Sequence, residues 1–366
     1  MLLAALKQVP DFRHKRGQSY QLWSLLALVL VGFLCGRRGL RAVFRMGRAL
    51  PVKARVQLGF GRYKMPCHST LTETMRAVDA DGLAELLGRA ILHDEIPTPA
   101  SRHIAIDGKT LRGSKDENGD AEHCLSAFAH ALHKVLDHTA SRGKGMEIAD
   151  ALALLGRVDL TDKVVTGDAM FCQKSITETI VERGGDYVLP VKGNQKNLLD
   201  DIQTAFAAPV FPLRRWQEDE TKAHGRIEQR TITVLPAAAL GPHEEWPSIV
   251  QIAKVERRRE VKRKGQWVHE TETAWLITSL AATEASPQAL LIYNRDHWRI
   301  ENNLHRNKDV TLGEDAYTNR KDHAPRNIFT LNAIVLELAA WFGLSPKIAI
   351  ERCQDDKNLA IKWLGA

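Results

Sequence analysis

The chain has 366 residues, of which 44% are hydrophobic and 26% charged, and its formal net charge is +7. This length and composition predict a folded protein of two or three domains and exclude a largely disordered chain. The five cysteines are scattered without a C-x-x-C pair, so the sequence predicts neither a disulfide framework nor a compact zinc module.

The first 95 residues are predicted to be helical and basic. The apolar stretch 22–35 has 14 residues, shorter than the roughly 20 of a membrane-spanning helix, and is predicted to be a buried helix. Further helices are predicted over 40–49 and 69–94, the latter capped by Ser69 or Thr70. Residues 1–64 carry 13 Lys and Arg against one acid, and a second basic cluster occupies 254–265. These clusters indicate a polyanionic partner, with a solvated basic face as the alternative.

A domain boundary is predicted at the proline-containing segment 95–103. Strands are then predicted at 103–107, 124–136, 162–168 and 187–192, and helices at 145–158, 173–185 and 194–208. Residues 209–281 have only strand patterns, with Lys264-Gly265 as a hairpin turn, and helices return over 285–309 and 324–344. This order predicts a mixed sheet with helices packed on it.

The segment "HIAIDGKTLRGS" (103–114) raises a choice between a phosphate-binding loop and a metal-binding carboxylate. A Walker-type loop needs a glycine where His103 stands, so the loop interpretation fails. Asp107 and Asp168 both end apolar strand-like runs, and ligands gather outside the carboxyl ends of strands in α/β sheets. Each aspartate taken alone could equally be a turn residue.

A third acid, Glu301, is predicted to share a helix face with His297, His305 and Lys308, which are spaced by 4, 4 and 3 residues. Three carboxylates in one cleft can hold two Mg²⁺ ions that promote phosphodiester chemistry. Polar residues that follow strand ends or open the later β-rich stretch could contact phosphates, or be ordinary loop residues: Lys109, Arg112, Lys192, Asn194, Gln195 and Arg226.

Several motifs occur in one order between about residues 9 and 345: "PDFRHKRGQSYQLWSLLALVLVGFLCG", "HSTLTETMR", "IAIDGKTLRGS", "VVTGDAMFCQKSITETIVERGGDYVLPVKGNQ", "HGRIEQR" and "HWRIENNLHRNKDVTLGEDA". In these motifs the sequence resembles transposases of the ISAs1 insertion-sequence family, which include the H-repeat-associated proteins and belong to the DDE group. The resemblance implies an α/β fold: a ribonuclease-H-like mixed sheet with flanking helices, a β-rich insertion and an α-helical N-terminal domain. It also implies four parts, namely a DNA-binding domain (1–97), the first part of the catalytic core (98–208), the insertion (209–281) and the last part of the core (282–366).

The resemblance further implies that Asp107, Asp168 and Glu301 form a catalytic metal triad for two Mg²⁺ ions, for which Mn²⁺ can substitute. DNA contacts are expected from Lys109, Arg112, Lys192, Asn194, Gln195, Arg226, His297, His305 and Lys308. The expected activity is cleavage and strand transfer of double-stranded DNA at inverted-repeat ends, by a homodimer or larger assembly. It would be a cytoplasmic, nucleoid-associated protein without a membrane partner. The alternatives are a decayed or domesticated DNA-binding protein, and a metal-dependent nuclease without strand transfer.

Overall fold

A computed structural model describes the chain except for residues 1, 62–64, 91–101, 118, 130–133, 143–144, 224, 242–245, 247, 264–265 and 366. The predicted boundary at 95–103 and the predicted turn at Lys264-Gly265 therefore lie largely or wholly outside the described residues. The chain divides into two compact units. Unit 1 contains residues 1–97, 108–150 and 300–366, and unit 2 contains residues 98–107 and 151–299.

Unit 1 is mainly helical. Its first helices are α1 (Leu2–Leu6), α2 (Leu22–Leu34), α3 (Leu40–Arg48), α4 (Val52–Gln57), α5 (His68–Ala77) and α6 (Ala80–Ala90). Nearly every residue of α2 is buried, as predicted, because its side chains are apolar all round and other helices surround it. The stretch Lys15–Leu34 is long and apolar enough to cross a membrane, but 67% of its apolar window is buried inside the fold, as in a core helix of a soluble protein.

The β1 strand (His103–Leu111) begins in unit 2 and ends in unit 1, where β2 (Glu122–Ala129) lies between β1 and β3 (Lys134–Arg142). The next helix, α7 (Glu147–Arg157), also crosses from one unit to the other. Two π-helical segments, Glu301–His305 and Asn307–Leu312, precede the last helices of unit 1. The last described helices of unit 1 are α11 (Ala324–Trp341), α12 (Pro346–Asp355) and α13 (Lys357–Trp363), while α10 belongs to unit 2. The α11 helix is largely buried and contacts α2, α5 and α6.

Unit 2 is built around a sheet. Its elements are β4 (Val164–Gly167), α8 (Lys174–Glu182), β5 (Asp186–Val191), α9 (Lys196–Ala207), β6 (Arg214–Gln217), β7 (Thr221–Ala223), β8 (Arg226–Pro236), β9 (Gln251–Arg263), β10 (Gln266–Thr278) and α10 (Pro287–His297). The order is β1-β4-β5-β10-β9-β8-β6, with β7 paired to β8. The β1, β4 and β5 strands are parallel, and the strands from β10 onward pair antiparallel.

Leucines of α10 pack against this sheet. Leu290 and Leu291 are buried together with side chains of β4, β5, β8, β9 and β10. The helix begins sharply because Pro287 follows Ser286, whose Oγ accepts a hydrogen bond from the backbone of Ala289 at 3.2 Å. Core packing and the N-terminal cap together fix the position of α10 on the sheet.

The structure confirms the predicted α/β fold class, with parallel and antiparallel strands in a mixed sheet and flanking helices. The single strand predicted over 124–136 was wrong, because β2 and β3 form an antiparallel pair there. Within its described residues, the helix predicted over 69–94 is two helices, α5 and α6, and the N-cap residue is Cys67 rather than Ser69 or Thr70. Residues 91–94 of that prediction lie outside the described residues. Both errors have one origin: apolar residues also occupy the sequence between the two elements, so periodicity alone did not show the break.

Candidate active site

Asp107 and Asp168 are neighbours in the sheet of unit 2. In the parallel pairing of β1 with β4, Ile106 lies beside Gly167, and each aspartate is the next residue of its chain segment. Asp168 keeps an extended backbone (φ −66°, ψ 163°), so the strand direction continues through it. In-register residues of neighbouring strands point to the same face, which places both carboxylates on one face where β4 ends. Asp107 is partly buried, whereas the side chain of Asp168 is 53% exposed.

Two side chains, His297 and Lys192, interact with the Asp168 carboxylate. Nε2 of His297, at the end of α10, lies 3.6 Å from its Oδ1 atom. The interaction with the His297 ring is the largest cause of the lowered pKa of Asp168; partial burial opposes the lowering and the charge of Lys192 adds to it. Asp168 therefore stays ionised at neutral pH, as a cation ligand must.

The loop after β5 holds the turn that follows Asp168. Asn194 Nδ2 donates to the carbonyl of Ala169 at 2.8 Å, and Gln195 Nε2 donates to the carbonyl of Cys172 at 3.0 Å. These amide groups, predicted to contact phosphates, are thus engaged in fixing the backbone beside the carboxylate. Lys192, at the start of the same loop, is exposed.

A hydrogen-bonded chain behind Asp168 was missed by the sequence reasoning. His103 Nε2 lies 2.8 Å from Thr166 Oγ1, which lies 3.2 Å from Nδ1 of His297. All three residues are buried. The available signal was the presence of two polar residues, His103 and Thr166, inside otherwise apolar strand segments.

The predicted common helix face of His297, Glu301, His305 and Lys308 is wrong. The α10 helix ends at His297, in unit 2, and the chain from Glu301 to Leu312, in unit 1, is wound as π-helix apart from one residue, so the four residues do not lie on one regular α-helix. Glu301 is exposed, whereas His305 and Lys308 are buried in unit 1. Trp298, which follows α10, is 62% exposed.

Two lysines predicted to contact DNA lie inside unit 1. The ammonium group of Lys109 pairs with Asp309 and, at 2.9 Å, with Glu314. Burial by itself lowers the pKa of Lys109, but the charge of Glu314 and the hydrogen bond to Asp309 outweigh it and raise the pKa. Lys308 Nζ donates to the carbonyl of Phe329 at 3.2 Å, and burial lowers its pKa to about 8. In this conformation neither lysine presents its charge to solvent.

The basic cluster of β9 is largely neutralised within its own sheet. Arg257 pairs with Glu228 of β8 at 2.7 Å, and Arg259 pairs with Glu270 of β10 at 3.0 Å. The cluster at 254–265 is therefore a weaker polyanion site than its sequence suggests. Arg226, by contrast, is exposed at the start of β8.

The donor set at the end of β4 fits a divalent cation, because carboxylate oxygens are the ligands that Mg²⁺ prefers. Within the described part of the chain, no group of three or more His, Cys, Asp and Glu side chains is placed to hold a metal ion. Asp107 and Asp168 belong to unit 2 and Glu301 belongs to unit 1, so the role of Glu301 stays a prediction.

The sequence is similar to proteins of known families. The model of the family described as "Transposase DDE domain" matches residues 98–338, and that described as "DDE_Tnp_1-associated" matches residues 3–90. An H repeat-associated putative transposase, YhhI of Escherichia coli K12, is 29% identical over 331 residues, covering 88% of this chain and 86% of that protein. A second, YbfD of the same strain, is 30% identical over 235 residues, covering 63% of this chain and 91% of that protein. A solved structure of a piggyBac transposase synaptic complex with hairpin DNA aligns with a TM-score of 0.47 and 11% identity, covering 100% of this chain and 79% of that chain.

Proposed function

Because the chain belongs to the family of transposases with a DDE domain, we propose that it cleaves phosphodiester bonds at the inverted-repeat ends of an insertion sequence and joins them to target DNA. The observation that carries this proposal is the in-register pair Asp107 and Asp168 at the end of β4. Carboxylates are the side chains that hold divalent metal ions for phosphodiester chemistry of this kind.

We assign the metal ligands to Asp107, Asp168 and Glu301, with two Mg²⁺ ions as the natural cofactor and Mn²⁺ as a substitute. When bound, the ions polarise the phosphate and favour ionisation of the attacking hydroxyl. The chain itself supplies the carboxylates, and hydrogen bonds from Asn194 and Gln195 hold the turn that follows Asp168. We assign Lys192 to a DNA phosphate near the metals, because its ammonium group is exposed and its charge contributes to lowering the pKa of Asp168.

DNA binding is assigned to the exposed cationic groups. Lys192, Arg226 and Arg112 are all exposed, and residues 1–64 have a strong excess of Lys and Arg. Phosphate contacts of this kind give affinity without base specificity, and the affinity falls steeply with salt. We propose residues 1–97 as the DNA-binding domain, 98–208 and 282–366 as the catalytic core and 209–281 as its insertion. The active form would be a dimer or larger assembly on paired DNA ends, in the bacterial cytoplasm.

The test is cleavage of DNA carrying the element's own ends by variants of each ligand. Asp107→Asn, Asp168→Asn and Glu301→Gln are expected to lower cleavage at least a thousandfold, since each removes a ligand charge from the metal site. Asp201→Asn, at an exposed aspartate of α9, is the matched control and should cleave as wild type does. DNA binding by gel shift should be unchanged in all four variants. Wild-type cleavage by any one ligand variant would reject its assignment.

Two further measurements separate the alternatives. A nuclease would cut the ends but fail to join pre-cut ends to a target duplex. A decayed DNA-binding protein would bind with strong salt dependence and show no cleavage with Mg²⁺ or Mn²⁺.

A further inference from the structure

The buried residues His103, Thr166 and His297 form a continuous polar chain that ends at Asp168. The contacts are 2.8 Å from His103 to Thr166, 3.2 Å from Thr166 to His297 and 3.6 Å from His297 to Asp168. The exposed fractions of the first three are 4%, 1% and 7%. Burying polar groups costs free energy that apolar side chains at the same strand and helix positions would avoid. A buried polar chain that leads to an exposed carboxylate therefore indicates a role at that carboxylate.

The strand β4 and the helix α10 explain the geometry of the polar chain. Thr166 and Asp168 are two residues apart, so they leave β4 on the same face. Tyr293 and His297 are one turn apart on α10, and the ring of Tyr293 meets His103 edge-on, with ring centroids 5.2 Å apart. The same helix is anchored in the sheet by its leucines. The His297 ring is thus held by rigid elements rather than by a loop.

The donor and acceptor atoms of these side chains determine the direction of the hydrogen bonds in the polar chain. If His103 Nε2–H donates to Thr166 Oγ1, the threonine hydroxyl donates onward to Nδ1 of His297. A neutral His297 then has its proton on Nε2, the atom that faces Asp168. The Nε2–H group then lies on the side of Asp168 Oδ1, with 3.6 Å between the nitrogen and the oxygen.

We propose that His297 is a positioning residue for the Asp168 carboxylate and that Thr166 and His103 set the tautomer and orientation of its ring. This inference rests on the proposed function, because it takes Asp168 as a metal ligand. It differs from the predicted role of His297 as a DNA contact. Hydrogen-bonding partners of metal ligands typically change metal affinity or activity 10- to 100-fold when they are removed.

The decisive variant is Thr166→Val, which keeps the shape of the side chain and removes the hydroxyl. Thr278→Val is the matched control, since Thr278 is equally buried in the same sheet and its hydroxyl donates to the carbonyl of Tyr187 at 2.6 Å, outside the chain. Mn²⁺ affinity is measured by electron paramagnetic resonance on the full-length protein without DNA, and the Mg²⁺ concentration for half-maximal cleavage is measured on end-containing DNA.

We expect Thr166→Val and His297→Leu to weaken Mn²⁺ binding and raise the Mg²⁺ requirement about 10- to 100-fold. Thr166→Ser, which retains the hydroxyl, and His297→Gln, which retains a donor, should recover much of the loss. Thermal unfolding of each variant monitors folding, and gel shift monitors DNA binding, which should not change.

Equal Mn²⁺ affinity and Mg²⁺ requirement in Thr166→Val and Thr278→Val would overturn the inference. Loss of DNA binding by His297→Leu with an unchanged Mn²⁺ affinity would also overturn it and return His297 to a DNA contact. Asp168→Asn separates this failure from failure of the proposed function: if it cleaves DNA as wild type does, Asp168 is no ligand. If it is inactive while the Thr166 variants match their control, only the positioning role is wrong.

Discussion

The buried ammonium group of Lys308 allows a quantitative test of the energetics of unit 1. Lys308 has no exposed surface, and burial lowers its pKa from the ordinary 10.5 to about 8, although the charge of Glu314 acts in the opposite direction. A tenfold change in proton binding is about 1.4 kcal/mol, so this lowered pKa corresponds to roughly 3 kcal/mol of destabilisation at neutral pH. Lys308→Met removes that cost. It also removes the hydrogen bond to Phe329, a loss of about 1 kcal/mol.

We therefore expect Lys308→Met to raise the free energy of unfolding at pH 7 by about 1–3 kcal/mol. The gain depends on pH with a definite sign. Between pH 8 and 10.5 the lysine is protonated in the unfolded chain and largely neutral in the folded one, so the unfolded state binds more protons. Wild-type stability consequently rises with pH in this window relative to the methionine variant. The advantage of the variant is fully present below about pH 8 and shrinks as the pH approaches 10.5.

The assay is urea denaturation of both proteins at pH 7 and pH 10, compared as a difference so that other titrating groups cancel. Lys321→Met, at an exposed lysine of the same unit, is the control and should show no pH-dependent difference. A Lys308→Met variant that is less stable than wild type at pH 7 by more than 1 kcal/mol, or a gap that does not narrow by pH 10, would refute the reasoning.

Three further predictions concern packing and reactivity. Gly113→Ala should lower the free energy of unfolding by about 3 kcal/mol or more, because the added Cβ would lie 1.9 Å from the carbonyl oxygen of Tyr317. Gly156→Ala, with open space around it in α7, should instead raise the free energy of unfolding by about 0.5–1 kcal/mol in the same urea titration. Similar changes in the unfolding free energy of both variants would contradict the packing around Gly113. Asn327→Leu should lower the free energy of unfolding by about 2–4 kcal/mol in that assay, because Nδ2 of Asn327 donates to two buried carbonyls at the end of α5, at 2.8 and 2.9 Å. An unchanged denaturation midpoint would show that those contacts are absent. Iodoacetamide at pH 7.5 should alkylate Cys67 first, because this thiol is exposed and hydrogen bonds from two hydroxyls lower its pKa to about 7. The other four thiols are buried. A different first site of alkylation, found by mass spectrometry, would contradict this prediction.

The sequence by itself predicted the long elements and the proximity of one pair of aspartates. Most helices and strands were predictable because apolar periodicity reports directly which face is buried. Asp107 and Asp168 were identifiable because each follows a run of apolar strand residues, and pairing of the two parallel strands brings them together. The predicted strand end at Asp107 was wrong, because β1 continues to Leu111 and only Asp168 follows the end of its strand. The antiparallel pair of β2 and β3 was not predictable, because apolar residues also occupy the sequence between the two strands.

Only the tertiary structure decided which charged and polar groups are available. Lys308 and Arg257 look alike in the sequence as potential phosphate ligands, yet one is enclosed by unit 1 and the other is paired with Glu228 across two strands. Likewise, His103 and His297 are joined through Thr166 although nearly two hundred residues separate them. The physical reason is that a local pattern encodes secondary structure, whereas the burial and partners of a side chain depend on residues that are distant in the chain and are brought close only by folding.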